Sequence, residues 1–325
     1  MKSALPRLLA LAALALAAAT GSSVDPPAKL TADQAPPAQW PALAAAGDPL
    51  AQALLARAYL LGTDGMAENP KAAALWAHRS AGKQHPLGLF LRGYARYRDF
   101  TRPKAERREA AKPFFEQAVA AGFATLAEQG GRQWLALLGD VHDSGWGVPT
   151  NSGEAVKCWR KAAGSGDPFA MYRIGLVYLE GEGVPRDGKT ALRWFRKAAA
   201  AGEANAMAGI GYCYDFGNGL VKDMAAAVEW YRKAADRGNA TAMFHLGLSY
   251  IAGQGVPKDE AEGVKWLHKA ADVGDPTFMQ ALGDCYKDGV GVPADKEEAA
   301  KWYRKAAASG DEAAKDALEK LEAAE

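Results

Sequence analysis

One motif returns every 36 residues through the second half of the chain, and this period limits the folds open to the sequence more than any other feature. The motif is Ala-Ala-x-x-Gly followed by Asp, Glu or Asn, and its glycine is Gly166, Gly202, Gly238, Gly274 and Gly310. Other positions keep the same step, including a tryptophan eight residues before most of these glycines and a tyrosine twelve residues after. A fixed period of about 20 to 50 residues indicates a repeat architecture, in which stacked units share one core.

The fourth unit shows how each repeat becomes a pair of helices. Asp167 is a suitable N-cap and Pro168 suits the first turn of helix A. A glycine-rich turn ends this helix, and Asp187 caps helix B. Apolar residues recur at helical spacing in both segments, which predicts one buried face for each. That face comprises Ala170, Ile174, Gly175 and Tyr178 in helix A, and Ala191, Trp194, Phe195 and Ala198 in helix B.

The pattern continues towards the N-terminus with less regularity. A third unit begins near Gly130 and has His142 where tyrosine is expected. Two looser units begin at Gly47 and at about His85, and eight extra residues, 123–130, follow the second of these. Seven units can therefore be counted.

These units predict the fold class and the domain organisation. We predict an all-α protein, an αα-superhelix (solenoid) of about seven two-helix repeats over residues 46–310, with an irregular unit and insertion over about 85–130. Residues 311–325 are predicted to form a C-terminal capping helix, with Ala314, Leu318 and Leu321 on one face. Residues 20–45 are rich in Pro and Ala, which favours an extended spacer.

The first residues have the layout of a signal peptide. Lys2 and Arg7 give a positive start, and residues 8–19 form an uncharged run of 12 residues that ends in small side chains. This run is too short to cross a bilayer comfortably. We expect residues 1–19 to be removed near Thr20, which gives a periplasmic or secreted protein without membrane insertion. An uncleaved anchor or a chance Ala-rich segment is the alternative.

The repeated motif resembles that of the Sel-one-like repeat (SLR) family, a relative of the tetratricopeptide repeats. The sixth unit shows the resemblance well, with Ala242, Leu246-Gly247, Tyr250, Gly253-Gln254-Gly255-Val256, Asp259, Trp266 and Lys269-Ala270-Ala271. It covers about residues 46–310 and is weak over about 85–129.

This resemblance implies an αα-superhelix with an adaptor role, such as assembling complexes or binding peptides on the concave surface. Bacterial members include exported proteins linked to the envelope and to host interactions. Some cysteine-rich relatives carry a disulfide in each unit, but this chain lacks the cysteine pairs, so that property does not transfer.

The three cysteines are Cys158, Cys213 and Cys285. Cys213 and Cys285 occupy the same repeat position two units apart, which separates them by at least ~16 Å when helix axes pack ~8–10 Å apart. A disulfide needs Cα atoms within about 7 Å. We interpret all three as small core residues, with a redox or metal-binding role as the alternative.

Two patterns that can indicate catalysis or cofactor binding have simpler interpretations. The segment from Gly183 to Thr190 matches the Walker A pattern, but a helix precedes it where a phosphate-binding loop requires a strand. We interpret it as a turn between helices. The five histidines form no metal pair, and no Gly-x-Ser-x-Gly motif is present. We therefore expect no catalytic, cofactor-binding or metal-binding residues, and no enzyme activity.

The charges are balanced, with 39 basic and 38 acidic residues. This balance gives no indication of a nucleic-acid partner. A column of lysines does recur along helix B, which we interpret as a solvated convex face, with a polyanion site as the alternative. Its members are Lys161, Lys197, Lys233, Lys269 and Lys305.

These observations favour a scaffold that binds a protein or peptide of unknown identity; an envelope-associated hydrolase or a purely structural spacer are the alternatives. If helix A lines the concave side, the face of this helix that the stack does not use carries aromatic and aliphatic residues, which are typical of peptide grooves. The alternative is that these residues pack against the neighbouring helix A. The predicted partner-binding residues are Phe90, Tyr94, Phe169, Tyr172, Leu176, Tyr212, Phe244 and Leu248.

Overall fold

The computed structural model describes residues 35–62, 64–66, 69–97, 102–125 and 132–323. The signal peptide predicted over residues 1–19 lies outside these ranges, and so do residues 20–34 of the predicted spacer.

Helices packed in successive antiparallel pairs make up the described part of the chain. A 3-10 turn (Pro37–Gln39) and helix α1 (Trp40–Ala45) precede the pairs. The helices A of units 1 to 7 are α2 (Pro49–Leu61), α4 (Pro86–Tyr97), α6 (Arg132–Ser144), α8 (Pro168–Glu180), α10 (Ala204–Phe216), α12 (Ala240–Ala252) and α14 (Pro276–Asp288). The helices B of the same units are α3 (Pro70–Ala81), α5 (Lys104–Ala120), α7 (Ser152–Gly164), α9 (Gly188–Ala200), α11 (Met224–Ala235), α13 (Glu260–Ala271) and α15 (Lys296–Ala308). Helix α16 (Glu312–Glu322) comes last. The predicted all-α solenoid of about seven two-helix repeats is confirmed.

The turns between helices follow from capping residues and glycines in the motif. Asp167 Oδ1 accepts a hydrogen bond from Ala170 N at 2.9 Å, and Asp187 Oδ1 accepts one from Thr190 N at 3.0 Å. Gly181 ends α8 with φ +83°, in the left-handed region where glycine is favoured. The Asp187 N–H donates to the carbonyl oxygen of Tyr178 at 2.8 Å and closes the turn. The segment that matches the Walker A pattern is therefore this inter-helix turn, as we interpreted it.

The core is built on a glycine in helix A and a large side chain in helix B of the same unit. A Cβ on Gly211 would lie 2.6 Å from Tyr231 Cδ1, and a Cβ on Gly283 would lie 2.6 Å from Tyr303 Cε1. Only glycine allows such a close approach without displacing the ring. The buried residue twenty positions after the glycine is Trp159, Phe195, Tyr231, Leu267 and Tyr303 in units 3 to 7.

Our prediction that Trp194 lies on the buried face of helix B together with Phe195 is only half right. Phe195 is fully buried, but Trp194 is half-buried, and the Lys197 ammonium lies 4.7 Å from its ring centroid. Tyr178 is half-buried as well. The helix turns about 100° per residue, so only one of two adjacent side chains can face the glycine of helix A directly. Trp194, Trp230 and Trp266 are half-buried at the edge of the stack, where lysine stems cover the rings, whereas Trp302 is buried.

Unit 2 contributes to an aromatic cluster that includes residues of the segments that follow it. Phe90 stacks on Phe123 with ring centroids 5.0 Å apart, and Phe115 stacks on Trp146 at 4.7 Å. This cluster joins unit 2 to unit 3.

Short helices cover both ends of the array. Ala314 and Leu321 of α16 are buried, Leu318 packs beside them, and Arg304 Nη2 of unit 7 donates to Glu322 Oε1 at 2.8 Å. At the other end, residues 40–45 form α1 although we assigned them to the spacer. Trp40 is buried there, since the exposed apolar face of α2 needs a cover.

The first unit also contacts the fourth. Arg57 Nη2 of α2 lies 2.8 Å from Asp167 Oδ2 at the start of α8, and both side chains are almost fully buried. Arg57 Nη1 lies 3.4 Å from Asp64 Oδ2 in the turn after α2. The Arg57–Asp167 pair joins residues 110 positions apart, so the superhelix closes on itself here and places the helices A on its inner side. None of the helices in the described ranges has the length and apolarity to cross a membrane.

Candidate binding groove

Two adjoining cavities follow the inner face of the helices A. The first, of about 350 Å³, extends from Leu60 in unit 1 past Tyr97 and Asp143 to Tyr172 and Asn205. The second, of about 530 Å³, continues from Tyr172 and Asn205 to Tyr212 and His245. Because they share two lining residues, they form one groove along units 1 to 6, which we call the inner groove.

The eight predicted partner-binding residues do not all lie on this groove. Tyr94, Phe169 and Tyr172 line the first cavity, and Tyr172, Leu176 and Tyr212 line the second. Leu248 lies on the following helix A and is exposed.

Phe90 and Phe244 are corrections to that prediction. Phe90 is buried in the aromatic cluster of unit 2, and no ligand on the surface can reach it. Phe244 is half-buried and stacks on Phe278 of the neighbouring helix A at 4.8 Å. Phe244 therefore follows the alternative that we kept open, packing against the neighbouring helix A, whereas Phe90 packs on aromatic residues of its own unit and of the segments that follow it. Phe169 lies between these two cases: its side chain is buried, but it borders the first cavity and is in reach of a ligand there.

Phe216 was missed by sequence reasoning although a signal for it existed. It lies four residues after Tyr212 in α10, and therefore on the same face of the helix. The two rings stack with centroids 4.4 Å apart, and Phe216 is 57% exposed. The apolar surface of unit 5 is thus larger than predicted.

Asparagines at the starts of α10 and α12 were also missed. Asn239 Nδ2 donates to Asn205 Oδ1 at 2.8 Å, and Asn205 Nδ2 donates to Glu203 Oε1 at 2.7 Å. Each amide nitrogen carries a second N–H that these hydrogen bonds do not use. Both residues line the second cavity, so donors for a bound main chain lie on its wall.

The first cavity contains an ion pair cluster. Arg173 Nη2 lies 2.6 Å from Asp143 Oδ2, and its Nε lies 3.1 Å from Asp140 Oδ1. The guanidinium also stacks 4.4 Å from the centroid of the Trp159 ring. Burial raises the pKa of Asp140 to about 6, against the opposing effect of Arg173. Burial likewise raises the pKa of Tyr172 to about 12, which keeps its hydroxyl protonated.

The cysteines lie in the core rather than on the groove. Cys213 and Cys285 are buried thiols that form no disulfide, and burial raises the pKa of each to about 11. This confirms them as small core residues, whereas Cys158 is only half-buried. Within the described residues, His, Cys, Asp and Glu side chains form no group of three or more suited to a metal ion.

The lysine column lies on the outer side of the helices B, where four of its five exposed lysines cover a tryptophan. The ammonium groups of Lys233 and Lys269 lie 4.4 and 3.8 Å from the ring centroids of Trp230 and Trp266. Such cation–π contacts hold the charges close to the protein surface.

A family model described as Sel1 repeat matches six segments of the chain, residues 49–85, 135–167, 168–203, 204–239, 240–275 and 277–311. These segments correspond to unit 1 and units 3 to 7, and the irregular unit 2 is not matched. No curated protein matches the chain significantly.

Three solved structures show the range of similarity. A Sel1 repeat protein from Oxalobacter formigenes is 35% identical, with a TM-score of 0.50 over 61% of this chain and 82% of that chain. The protective antigen c5321, present in uropathogenic Escherichia coli strains and displaying an SLR fold, is 27% identical, with a TM-score of 0.49. The match covers 88% of this chain and spans 59% of the c5321 chain. Cysteine rich protein B of Helicobacter pylori is 23% identical, with a TM-score of 0.33 over 41% of this chain and 100% of that chain.

Proposed function

Because this chain belongs to the Sel1 repeat family, whose members are repeat scaffolds, we propose that it is an exported scaffold that binds an extended segment of another protein along its inner groove. Binding, rather than catalysis, is the function for which the groove has suitable side chains.

An exposed apolar strip on the inner side of units 5 and 6 carries this proposal. Tyr212, Phe216 and Leu248 are 37%, 57% and 38% exposed, and they lie on the helices A of these two neighbouring units. Tyr212 lines the second cavity of the groove, and the other two extend the apolar surface beyond its lining. The stack does not need them, since buried residues already fill the space between the units. Burying such side chains against a partner contributes about 25 cal/mol per Å² of apolar surface. Aromatic residues are also common anchors of interfaces.

The asparagines explain why the partner segment should be extended. An extended segment has main-chain groups without internal hydrogen bonds, and the spare N–H groups of Asn205 and Asn239 can donate to its carbonyl oxygens. A helical segment uses these carbonyl oxygens internally and gains nothing from such donors.

The two alternatives have less support. A purely structural spacer has no need for the exposed strip. A hydrolase requires a carboxyl group placed together with a nucleophile or a second acid–base group. However, Asp140 and Asp143 in the groove are paired with Arg173, and Glu180 is the one other carboxyl group on its described walls. Export is inferred from residues 1–19 alone, whose charged start and short apolar run suit a signal peptide.

A selection experiment tests the binding function. A random peptide library displayed on phage is panned against the protein that begins at Thr20, against a double variant with Tyr212→Ala and Leu248→Ala, and against a matched control with Leu75→Ala and Val221→Ala. The control removes two exposed apolar side chains that do not line the groove. We expect enriched peptides for the wild type and the control but not for the groove variant, with unchanged helical content in all three. Enrichment on the groove variant equal to that on the wild type would place the binding surface elsewhere.

A further inference from the structure

We propose that the first cavity of the inner groove binds a lysine or arginine side chain of the partner segment. This inference rests on the proposed function of the groove. The proposal specifies a basic residue in the partner segment, whereas the apolar strip of units 5 and 6 specifies no charged residue.

Five aromatic residues lie on the wall of this cavity, beside its charged groups. Tyr94 and Tyr97 lie edge-to-face against Trp146, with ring centroids 5.2 and 5.4 Å away and interplanar angles of 76° and 63°. Phe169 and Tyr172 close the opposite side, with centroids 6.2 Å apart. Rings set at steep angles present faces and edges to the same space, and the faces attract a cation within about 6 Å. The wall is therefore suited to an ammonium or guanidinium group.

The charges of the cavity have an excess of carboxylate. Asp140 and Asp143 face the single guanidinium of Arg173, which leaves one negative charge uncompensated when both carboxyl groups are ionised. Arg57 also favours the charged form of Asp140 slightly, but it contacts Asp64 and Asp167 and is therefore already shared between two other carboxylates. A second cation beside Asp143, whose side chain is 22% exposed, would balance the cluster.

The position of Arg173 leaves room for such a cation. Its guanidinium is held against the Trp159 ring at 4.4 Å and so lies towards the core of unit 3. The Tyr172 hydroxyl borders the cavity and takes part in no hydrogen bond within the described residues, so it can accept one from a bound ammonium group. The cavity volume of about 350 Å³ is within the range of about 300–1,000 Å³ usual for ligand sites, and it can take a long side chain with part of its main chain.

Contact between units 1 and 4 holds the walls in place before a ligand arrives. Leu60, on the same helix as Arg57, borders the cavity from unit 1, whereas Asn205 borders it from unit 5. The buried Arg57–Asp167 pair fixes the distance between these two sides. A cavity shaped in advance loses less entropy on binding than one assembled by the ligand.

The first experiment needs no variant of the cavity. The protein is labelled with 5-fluorotryptophan, and the ¹⁹F resonance of Trp146 is assigned by Trp146→Phe. Acetyl-Gly-Lys-Gly-amide, its norleucine analogue, which has a side chain of similar length but no charge, and butylammonium are titrated separately. We expect the lysine peptide to shift the Trp146 resonance and to bind about fivefold more tightly than either comparison probe, in line with a desolvated cation–π contact. Equal affinity for the norleucine peptide would overturn the proposal, and equal affinity for butylammonium would show a site for free cations instead.

Variants then separate charge from shape. Asp143→Asn removes the carboxylate next to the expected ammonium group, and Tyr97→Leu removes a ring without changing charge. Each should weaken lysine-peptide binding by about fivefold or more, whereas Asp284→Asn, on the inner side of unit 7, should leave it unchanged. Affinity that is the same in all three variants would refute the site. If the lysine peptide binds but no phage peptides are enriched, the proposed function is refuted and the cation site stands. If phage peptides are enriched but the lysine peptide does not bind, the cation site alone is refuted.

Discussion

Replacing Tyr231 by alanine should destabilise the array far more than replacing its neighbour Trp230, although the sequence pattern places both positions on the buried face of helix B. Tyr231 is fully buried against Gly211, and its ring stacks on His245 of the next unit with centroids 4.9 Å apart. Its hydroxyl also donates to Asp215 Oδ2 at 3.4 Å, which is too long to contribute much.

The magnitude follows from these contacts. Removing a buried aromatic ring costs about 3–5 kcal/mol, because the surroundings relax only partly into the cavity left behind. Trp230 is half-buried and one face of its ring is covered by Lys233, so Trp230→Ala should cost about 1–2 kcal/mol in lost apolar contact and cation–π attraction. Tyr231→Phe keeps the ring and should cost at most about 1 kcal/mol.

Urea unfolding followed by circular dichroism at 222 nm measures these differences. Because repeat arrays can unfold in stages, intrinsic fluorescence should be recorded in the same titration to detect an intermediate. We expect the unfolding midpoint to fall in the order wild type, Tyr231→Phe, Trp230→Ala, Tyr231→Ala. A midpoint for Trp230→Ala at or below that of Tyr231→Ala would show that the assignment of the buried column is wrong.

Four further predictions follow from the same contacts and from the sequence. Gly211→Ala should lower the free energy of unfolding by about 1–3 kcal/mol through overpacking against Tyr231, a loss visible in the same urea titration. Burial raises the pKa of Glu203 to about 7, above its value in the unfolded chain, so its contribution to stability is present at low pH and is lost as the pH rises through 7. The melting temperature of Glu203→Gln, relative to that of the wild type, should therefore increase from pH 5.5 to pH 8. Lys189→Ala should change neither stability nor calorimetric binding of ATP, and micromolar ATP affinity in the wild type would contradict the assignment of a turn. Mass spectrometry of the protein from the envelope fraction should find an N-terminus near Thr20, and an intact Met1 would exclude cleavage.

Much of the fold could be predicted from the sequence because the same helix signals recur in each regular unit. A capping Asp, a terminal glycine and the apolar spacing occur together there, so a helix boundary predicted in one unit is supported by the equivalent residues of the others. Unit 2 was harder to place, since it follows the motif loosely and eight extra residues, 123–130, separate it from the regular units. The buried column was misjudged for another reason: Trp194 and Phe195 are adjacent and both apolar, and hydrophobicity does not decide which of the two faces the glycine.

The groove could be predicted only in part. Tyr172, Leu176 and Tyr212 were found because they repeat on a face of helix A that the stack does not use. Phe90 and Phe244 occupy equivalent positions, but their burial depends on aromatic neighbours in other units. The Arg57–Asp167 contact had no signal in the sequence at all, because it depends on the curvature summed over three units rather than on any local pattern.

That contact also has a mechanical consequence. A solenoid with contacts only between neighbouring units extends elastically when its ends are pulled, because each interface between units is deformed slightly. Here the buried ion pair between units 1 and 4 turns the N-terminal half into a closed loop, and its stiffness is set by one junction instead of by many soft ones. Tension on the chain should first lengthen units 5 to 7, which carry the exposed apolar strip, while the first cavity keeps its shape until the junction breaks. A partner seated in both cavities would thus be held by one rigid and one elastic half of the same molecule.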